Sequence, residues 1–245
     1  MKIIRSKIFS TYPELIFGFS TKVGLDRKSP YYFNMSHTVG DDKNIVEENR
    51  KAFYSELGLS EERVAFQYQI HSEIISTVNS GGTVGESDAL ITSEKNLGLA
   101  ISSADCAAIF LYDRANKVIA GVHSGWRGSE KRILEKTIQK LIDEYGSDPQ
   151  NIIAYLGPSV SQFNYQVGGE VAEKFDSKYI LKTDNMLFLD VAGASYDMLL
   201  KAGVPKKNIE MSELCSVESY DLLHSYRREG ARSGRAWGII AMKEN

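Results

Sequence analysis

The chain has 245 residues, of which 42% are hydrophobic and 25% charged, and its 29 Lys plus Arg against 32 Asp plus Glu leave a formal charge of −3. That composition is ordinary for a globular protein and excludes a disordered, collagenous or coiled-coil chain. A weakly acidic chain lacks the broad basic footprint of a nucleic-acid or anionic-membrane binder, and no stretch approaches the ~20 apolar residues of a membrane span.

Taken in chain order, residues 3–9 alternate weakly and 14–20 (ELIFGFS) are apolar and aromatic, so both read as short strands. Gly, Asp, Pro and Asn through 21–40 predict an irregular loop. Ile45, Val46, Asn49, Phe53 and Leu57 recur near helical spacing and predict a helix over 43–57, with Asp41 or Asp42 as N-cap and Gly58 at the C-cap. Residues 63–69, 73–78, 98–103, 107–112 and 117–123 read as strands. A helix is predicted over 129–145, capped by Ser129, with Ile133, Leu134, Ile138, Leu141 and Ile142 on one face. Then follow a buried-looking strand at 151–157, helices over 168–176 and 190–202, and a last strand at 236–242.

No internal repeat is visible, and no Pro/Gly/Ser linker divides the chain, so residues 1–245 are expected to form one domain. Strands and helices mix without strict alternation. The expected class is α+β, a single-domain mixed-sheet α/β sandwich with flanking helices. Cys106 and Cys215 are too few for a disulfide framework, and the first residues carry no signal-peptide pattern. The expectation is a soluble cytoplasmic protein, a monomer or homodimer, with no membrane or nucleic-acid partner.

The four histidines are His37, His71, His123 and His224. His71 follows one predicted strand, Cys106 opens another and His123 closes a third. Strand ends are where a rigid sheet holds side chains at a pocket mouth. Two chemistries fit one Cys and two His. One is a zinc site with an open fourth position; the other is a cysteine nucleophile with a histidine base. The separations of 35 and 17 residues match no short-spaced zinc motif and leave both open. Asp88 suits an orienting acceptor for an imidazole. Arg127 stands between Gly125 and Gly128, and Arg227 and Arg228 lie in a second arginine-rich run, so all three suit anion capture. Gly168-Gly169 before a predicted helix could also receive an anion.

The segments FSTKVG, FNMSHTVGDD, QIHS, SDALIT, SADC, GVHSGWRGS, LGPSVSQFNYQVGGEV, FLDV and SYRREGARSGR occur in that order. Together they resemble the YfiH/YlmD-type proteins, which also carry a multicopper polyphenol oxidase or laccase-domain label. The resemblance implies that His71, Cys106 and His123 bind one Zn²⁺. It implies phosphorolysis of adenosine, inosine and guanosine to base and ribose 1-phosphate, with adenosine deamination as an associated activity. Some bacterial members instead edit peptidoglycan as amidases. Small-molecule partners, a purine nucleoside and phosphate, follow from the same resemblance. Asp105 and Asp88 are the acid/base candidates, and Arg127, Arg227, Arg228 and Asn34 the candidates for holding substrate and phosphate. The sequence departs from the family pattern at Lys22, Leu25, Ala108, Ser124, Leu223 and His224. Four histidines cannot supply both a blue-copper site and a trinuclear copper cluster, so copper is expected only as an adventitious occupant.

Overall fold

The structure, a computed structural model, describes residues 1–244. Its strands are β1 (Ile3–Ile4), β2 (Leu15–Ser20), β3 (Val64–Tyr68), β4 (Ile75–Thr77), β5 (Gly82–Glu86), β6 (Ala89–Thr92), β7 (Gly98–Ser103), β8 (Ala107–Asp113), β9 (Val118–Ser124), β10 (Ile152–Leu156), β11 (Gln166–Val167), β12 (Ile180–Thr183), β13 (Met186–Leu189), β14 (Ile209–Met211) and β15 (Ala236–Met242). Its helices are α1 (Lys43–Leu57), α2 (Trp126–Glu130), α3 (Ile133–Tyr145), α4 (Gly169–Ala172), α5 (Val191–Lys201) and α6 (Tyr226–Glu229). One six-stranded sheet has the order β1-β2-β15-β7-β3-β5, a second has β14-β10-β8-β9-β6-β4, and β11-β13-β12 form a small third sheet. Both large sheets mix parallel and antiparallel pairs, as the predicted mixed-sheet α/β class requires.

β8 and β9 are buried at every position because their sheet is covered on both faces. Ala108, Phe110, Tyr112 and Ile119 face the other large sheet, where Phe17, Phe110 and Tyr155 meet edge to face at 5.0–5.1 Å. Ala107, Ile109, Leu111, Val118, Ala120 and Val122 face the opposite way, against Ile133, Leu134, Ile138 and Leu141 of α3 and Leu199 of α5. Each fully buried Leu, Ile or Phe contributes about 1.5–3 kcal/mol, so these two strands anchor the fold. On the far face of the first sheet, Phe53, Tyr54 and Leu57 of α1 pack on Trp237 and Ile239. Asp42 caps α1 by accepting from Asn44 N at 2.8 Å, and Gly58 ends it in the left-handed region at φ 69°.

Several expected elements are shorter or divided. The helix predicted over 129–145 is two helices. Arg132 adopts φ 62°, which no helix can pass through, and α3 begins after it. Ser129 therefore caps nothing; it lies inside α2 with its hydroxyl on Ser124 Oγ at 2.8 Å. The 3–9 strand stops at Ile4. The Glu210 carboxylate takes Ser6 Oγ and the Lys7 and Ile8 N–H groups and draws the chain into a turn. The 168–176 helix is only the four residues of α4. β5, β6, β14 and the β12–β13 hairpin are strands for which the sequence offered too short or too polar a pattern. No helix among the described residues is long and apolar enough to cross a membrane.

Candidate metal centre

The register between β8 and β9 builds the site. Ala107 pairs with Ser124 and Ala108 with His123. Side chains alternate along a strand, so Cys106, just before β8, points to the same side as Ala108 and Phe110, between the sheets. His123, on the side of Ile119, does the same from the end of β9. The third member comes from the opposite sheet. β3 ends at Tyr68, and His71 follows three residues later in a left-handed turn at φ 59°. The ligating atoms of His71, Cys106 and His123 lie within 4.8 Å of one another. Cys106 Sγ is 3.9 Å from His71 Nε2, and the two imidazoles stand 4.9 Å apart at 74°.

Two residues hold this arrangement. Gly125 has an unremarkable φ of −73°, so its backbone alone would accept any residue. A Cβ there would stand 2.8 Å from Cys106 Sγ and 3.0 Å from His71 Cδ2. Gly125→Ala is expected to push the thiol and imidazole apart and weaken zinc binding roughly 10–100-fold, with melting within a few degrees of wild type. Competition against a chromogenic chelator measures this; unchanged zinc affinity would show that the cluster has slack.

Asp88 is the second. It is 0% exposed, and its carboxylate gathers the two histidines. Oδ1 accepts from His123 Nδ1 at 2.7 Å and from the His71 N–H at 3.1 Å. Oδ2 accepts from the N–H groups of Ile70 and Ser72 and from Ser72 Oγ. Burial alone would raise its pKa, but the hydrogen bonds from His123 and Ser72 outweigh that and hold it at about 2. With Nδ1 of His123 committed to Asp88, Nε2 is left for the cluster. Burial also opposes ionisation of Cys106, yet the neighbouring His123 and His71 prevail and favour the thiolate. A thiolate and two imidazole nitrogens form a donor set that fits zinc. Zinc bond lengths place N and S donors about 3.3–3.6 Å apart, close to the observed Cys106–His71 separation.

Two arginines lie near Tyr165, beside the cluster. Arg127 stacks on Trp126 at 4.3 Å and Arg227 on Tyr165 at 5.1 Å. The Tyr165 phenol lies in the field of Cys106 and of both guanidiniums, and burial pushes it up to about 12, so it is a neutral donor.

Other expected roles give way to structural ones. Arg228 spends its guanidinium on the Ser216, Val217 and Leu223 carbonyls and on Glu229, which leaves nothing for phosphate. Asn34 is fully buried. Its amide donates to Ser36 O and Asp41 and its oxygen accepts from the Ser36 and Arg235 N–H groups, so it cannot reach a substrate. Asp105, at φ 92°, has both oxygens engaged, by Ser216 Oγ and by Arg227 N, each at 2.6 Å. It fastens the Cys106 loop to α6. Asp88 takes five donors, whereas each Asp105 oxygen takes only one. Glu170's own carboxylate stands over Gly168. Cys215 is buried and accepts from Ser161 N–H. Sequence reasoning missed Tyr165; its place in a Gly-Gly loop gave no periodic signal.

Residues 16–243 match the family described as multi-copper polyphenol oxidoreductase laccase. The chain is 35% identical over 231 residues to a purine nucleoside phosphorylase of Corynebacterium glutamicum, covering 91% of this chain and 92% of that one. It is 29% identical over 255 residues to the adenosine deaminase RL5 of an unknown prokaryotic organism, covering 96% and 97%. Its fold is similar to the crystal structure of YlmD from Geobacillus stearothermophilus, with a TM-score of 0.93, 27% identity, and 100% and 97% of the two chains covered.

Proposed function

The chain belongs to the multi-copper polyphenol oxidoreductase laccase family, and from that membership we propose that it is a zinc-dependent purine nucleoside phosphorylase that also deaminates adenosine. One observation carries the reading: a Cys/His/His cluster within 4.8 Å, beside a buried tyrosine that also lies in the field of Arg127 and Arg227. His71 Nε2, Cys106 Sγ and His123 Nε2 would hold the metal, which supplies a Lewis acid toward a bound oxygen. Arg127, Arg227 and the Tyr165 hydroxyl would bind phosphate and hold it in line with C1′ of the nucleoside. A phosphate oxygen bonds to C1′ as the C1′–N9 bond breaks; the bonding pair leaves with the purine, which takes up a proton. In deamination, water adds at C6 of adenine and ammonia leaves.

The names of two relatives, a phosphorylase and an adenosine deaminase, support this pair of activities. A multicopper oxidase fits the side chains poorly. His37 is paired with Glu47, and His224 is buried beside the Phe33 carbonyl, so two of the four histidines stand apart from the cluster.

The test is metal analysis of the purified protein together with chromatography of adenosine and inosine reactions, with and without phosphate. Base released only with phosphate, at one zinc per chain, is the expected result. Inosine formed from adenosine in either buffer adds deamination. Zinc-loaded protein that releases no base overturns the phosphorylase reading, and cleavage of muropeptide precursors would put an amidase in its place.

A further inference from the structure

Two segments that stand out in the sequence, VGGEV at 167–171 and FLDV at 188–191, are not accounted for by the metal cluster. They fold together. β11 pairs with β13 through Gln166–Phe188 and Val167–Leu187, and β13 pairs with β12. Among the described residues this small sheet shares no strand pairing with either six-stranded sheet. It has a core of its own, whose buried apolar members are Val171, Leu189 and Val191, and Trp126 and Tyr165 pack against that core. Leu189 is 0% exposed, and its N–H donates to the Tyr165 carbonyl at 3.0 Å.

Trp126 and Tyr165 are the two rings on which Arg127 and Arg227 rest. The backbones of both arginines belong to other parts of the fold. Arg127 lies in α2, directly after β9, and the Arg227 N–H is held by Asp105. Neither guanidinium makes a hydrogen bond or ion pair within the protein among the described residues, so the donors of both are left for an anion. Stacking is what directs them, and both stacking rings are seated in one small core.

A core with so few buried side chains is a local unit that shifts without unfolding the rest. Truncating Leu189 opens a cavity at its centre, and the small sheet closes that cavity by moving. The two rings move with it, and the guanidiniums lose their common aim. Charge-assisted bonds from two guanidiniums to one oxyanion need both sets of donors at about 2.7–2.9 Å. A displacement of about 1 Å in such a site costs up to about 100-fold. The zinc ligands are seated elsewhere, at the ends of β8 and β9 and on the turn after β3, above the two large cores. The small core therefore acts on the anion and not on the metal.

Building on the phosphorylase reading, we propose that Leu189 is a positioning residue for phosphate: by seating Trp126 and Tyr165 in one core it sets the direction of Arg127 and Arg227, and with it their joint affinity for the anion. The test measures calorimetric binding of inorganic phosphate to the zinc-loaded protein, together with KM for phosphate and for inosine. It compares wild type, Leu189→Ala, Leu189→Met and Leu199→Ala, with zinc content and melting recorded for each. Leu189→Ala is expected to weaken phosphate binding and raise the phosphate KM at least about 10-fold, with the inosine KM within about 3-fold of wild type and zinc content unchanged. Leu189→Met keeps the side-chain volume and should bring phosphate back to within about 3-fold. Leu199 is equally buried but lies in the large core beside α3, so Leu199→Ala should lower melting and leave phosphate binding as in wild type. Should Leu189→Ala not fold, Val171→Ala makes a smaller truncation in the same core and should weaken phosphate about 3-fold. A folded truncation of this core with wild-type phosphate affinity overturns the proposal, as does an equal loss in Leu199→Ala or a loss of zinc together with phosphate. The two readings fail separately. Phosphate binding that Leu189→Ala weakens, in a protein that releases no base, upholds the positioning role and overturns phosphorolysis; base release with an unchanged phosphate KM in Leu189→Ala does the reverse.

Discussion

Replacing Asp88 with Asn is expected to cost the protein about 3–5 kcal/mol of stability and at least 10-fold in zinc affinity. The carboxylate lies at zero exposure and accepts five hydrogen bonds, three of them from consecutive backbone N–H groups at Ile70, His71 and Ser72. An Asn amide turns one of the two acceptor oxygens into a donor facing other donors. Whichever way the amide is flipped, either His123 Nδ1 and the His71 N–H or the Ser72 pair loses its acceptor. A buried donor left unpaired costs about 1–3 kcal/mol, and here more than one is left. The His71 turn at φ 59° is held by these same bonds, so its imidazole should drift from Cys106. Urea unfolding and zinc competition measure the two effects separately. Wild-type values for both would mean that the network is incidental.

Removing the thiolate is the second large effect. Cys106→Ala leaves two histidines as protein ligands, and zinc is expected to be lost at micromolar protein. Turnover should fall at least about 1,000-fold if the metal supplies the usual several kcal/mol to the transition state. Cys106 is small and lies at a strand end, so melting should move by only a few degrees. Chelation of the wild type should produce the same loss, reversed by added zinc; added zinc should not rescue Cys106→Ala. An active chelated wild type beside an inactive Cys106→Ala protein would make Cys106 a nucleophile rather than a ligand. Activity in Cys106→Ala itself would remove the cluster from the chemistry.

The periodic parts of the chain are legible in its sequence. The apolar runs of β8, β9, β10 and β15 mark strands buried on both faces, and the helical spacing from Ile45 to Leu57 with its Asp42 cap and Gly58 end marks α1. Such elements are legible because the spacing of their apolar positions and their capping residues lie within a few positions along the chain, even though what buries them comes from elsewhere. Strand-end placement of His71, Cys106 and His123 was readable for the same reason. Their convergence was not. It depends on the Ala108–His123 register and on a turn from the opposite sheet, which bring residues 35 and 17 positions apart within 4.8 Å.

Tertiary structure also reassigned roles among residues of one chemical type. Arg127, Arg227 and Arg228 look alike in sequence, yet only Arg228 meets three backbone carbonyls and is consumed by them. Asp88 and Asp105 are alike by type, yet the fold delivers five donors to Asp88 and only two to Asp105. Lys22 and Glu229 are 207 positions apart and meet at 3.8 Å only because the chain after β2 hydrogen-bonds to Leu222, just before α6. Residue type sets what a side chain can do; the number of its hydrogen bonds already taken by the fold sets what it has left to offer a substrate, and that count exists only in three dimensions.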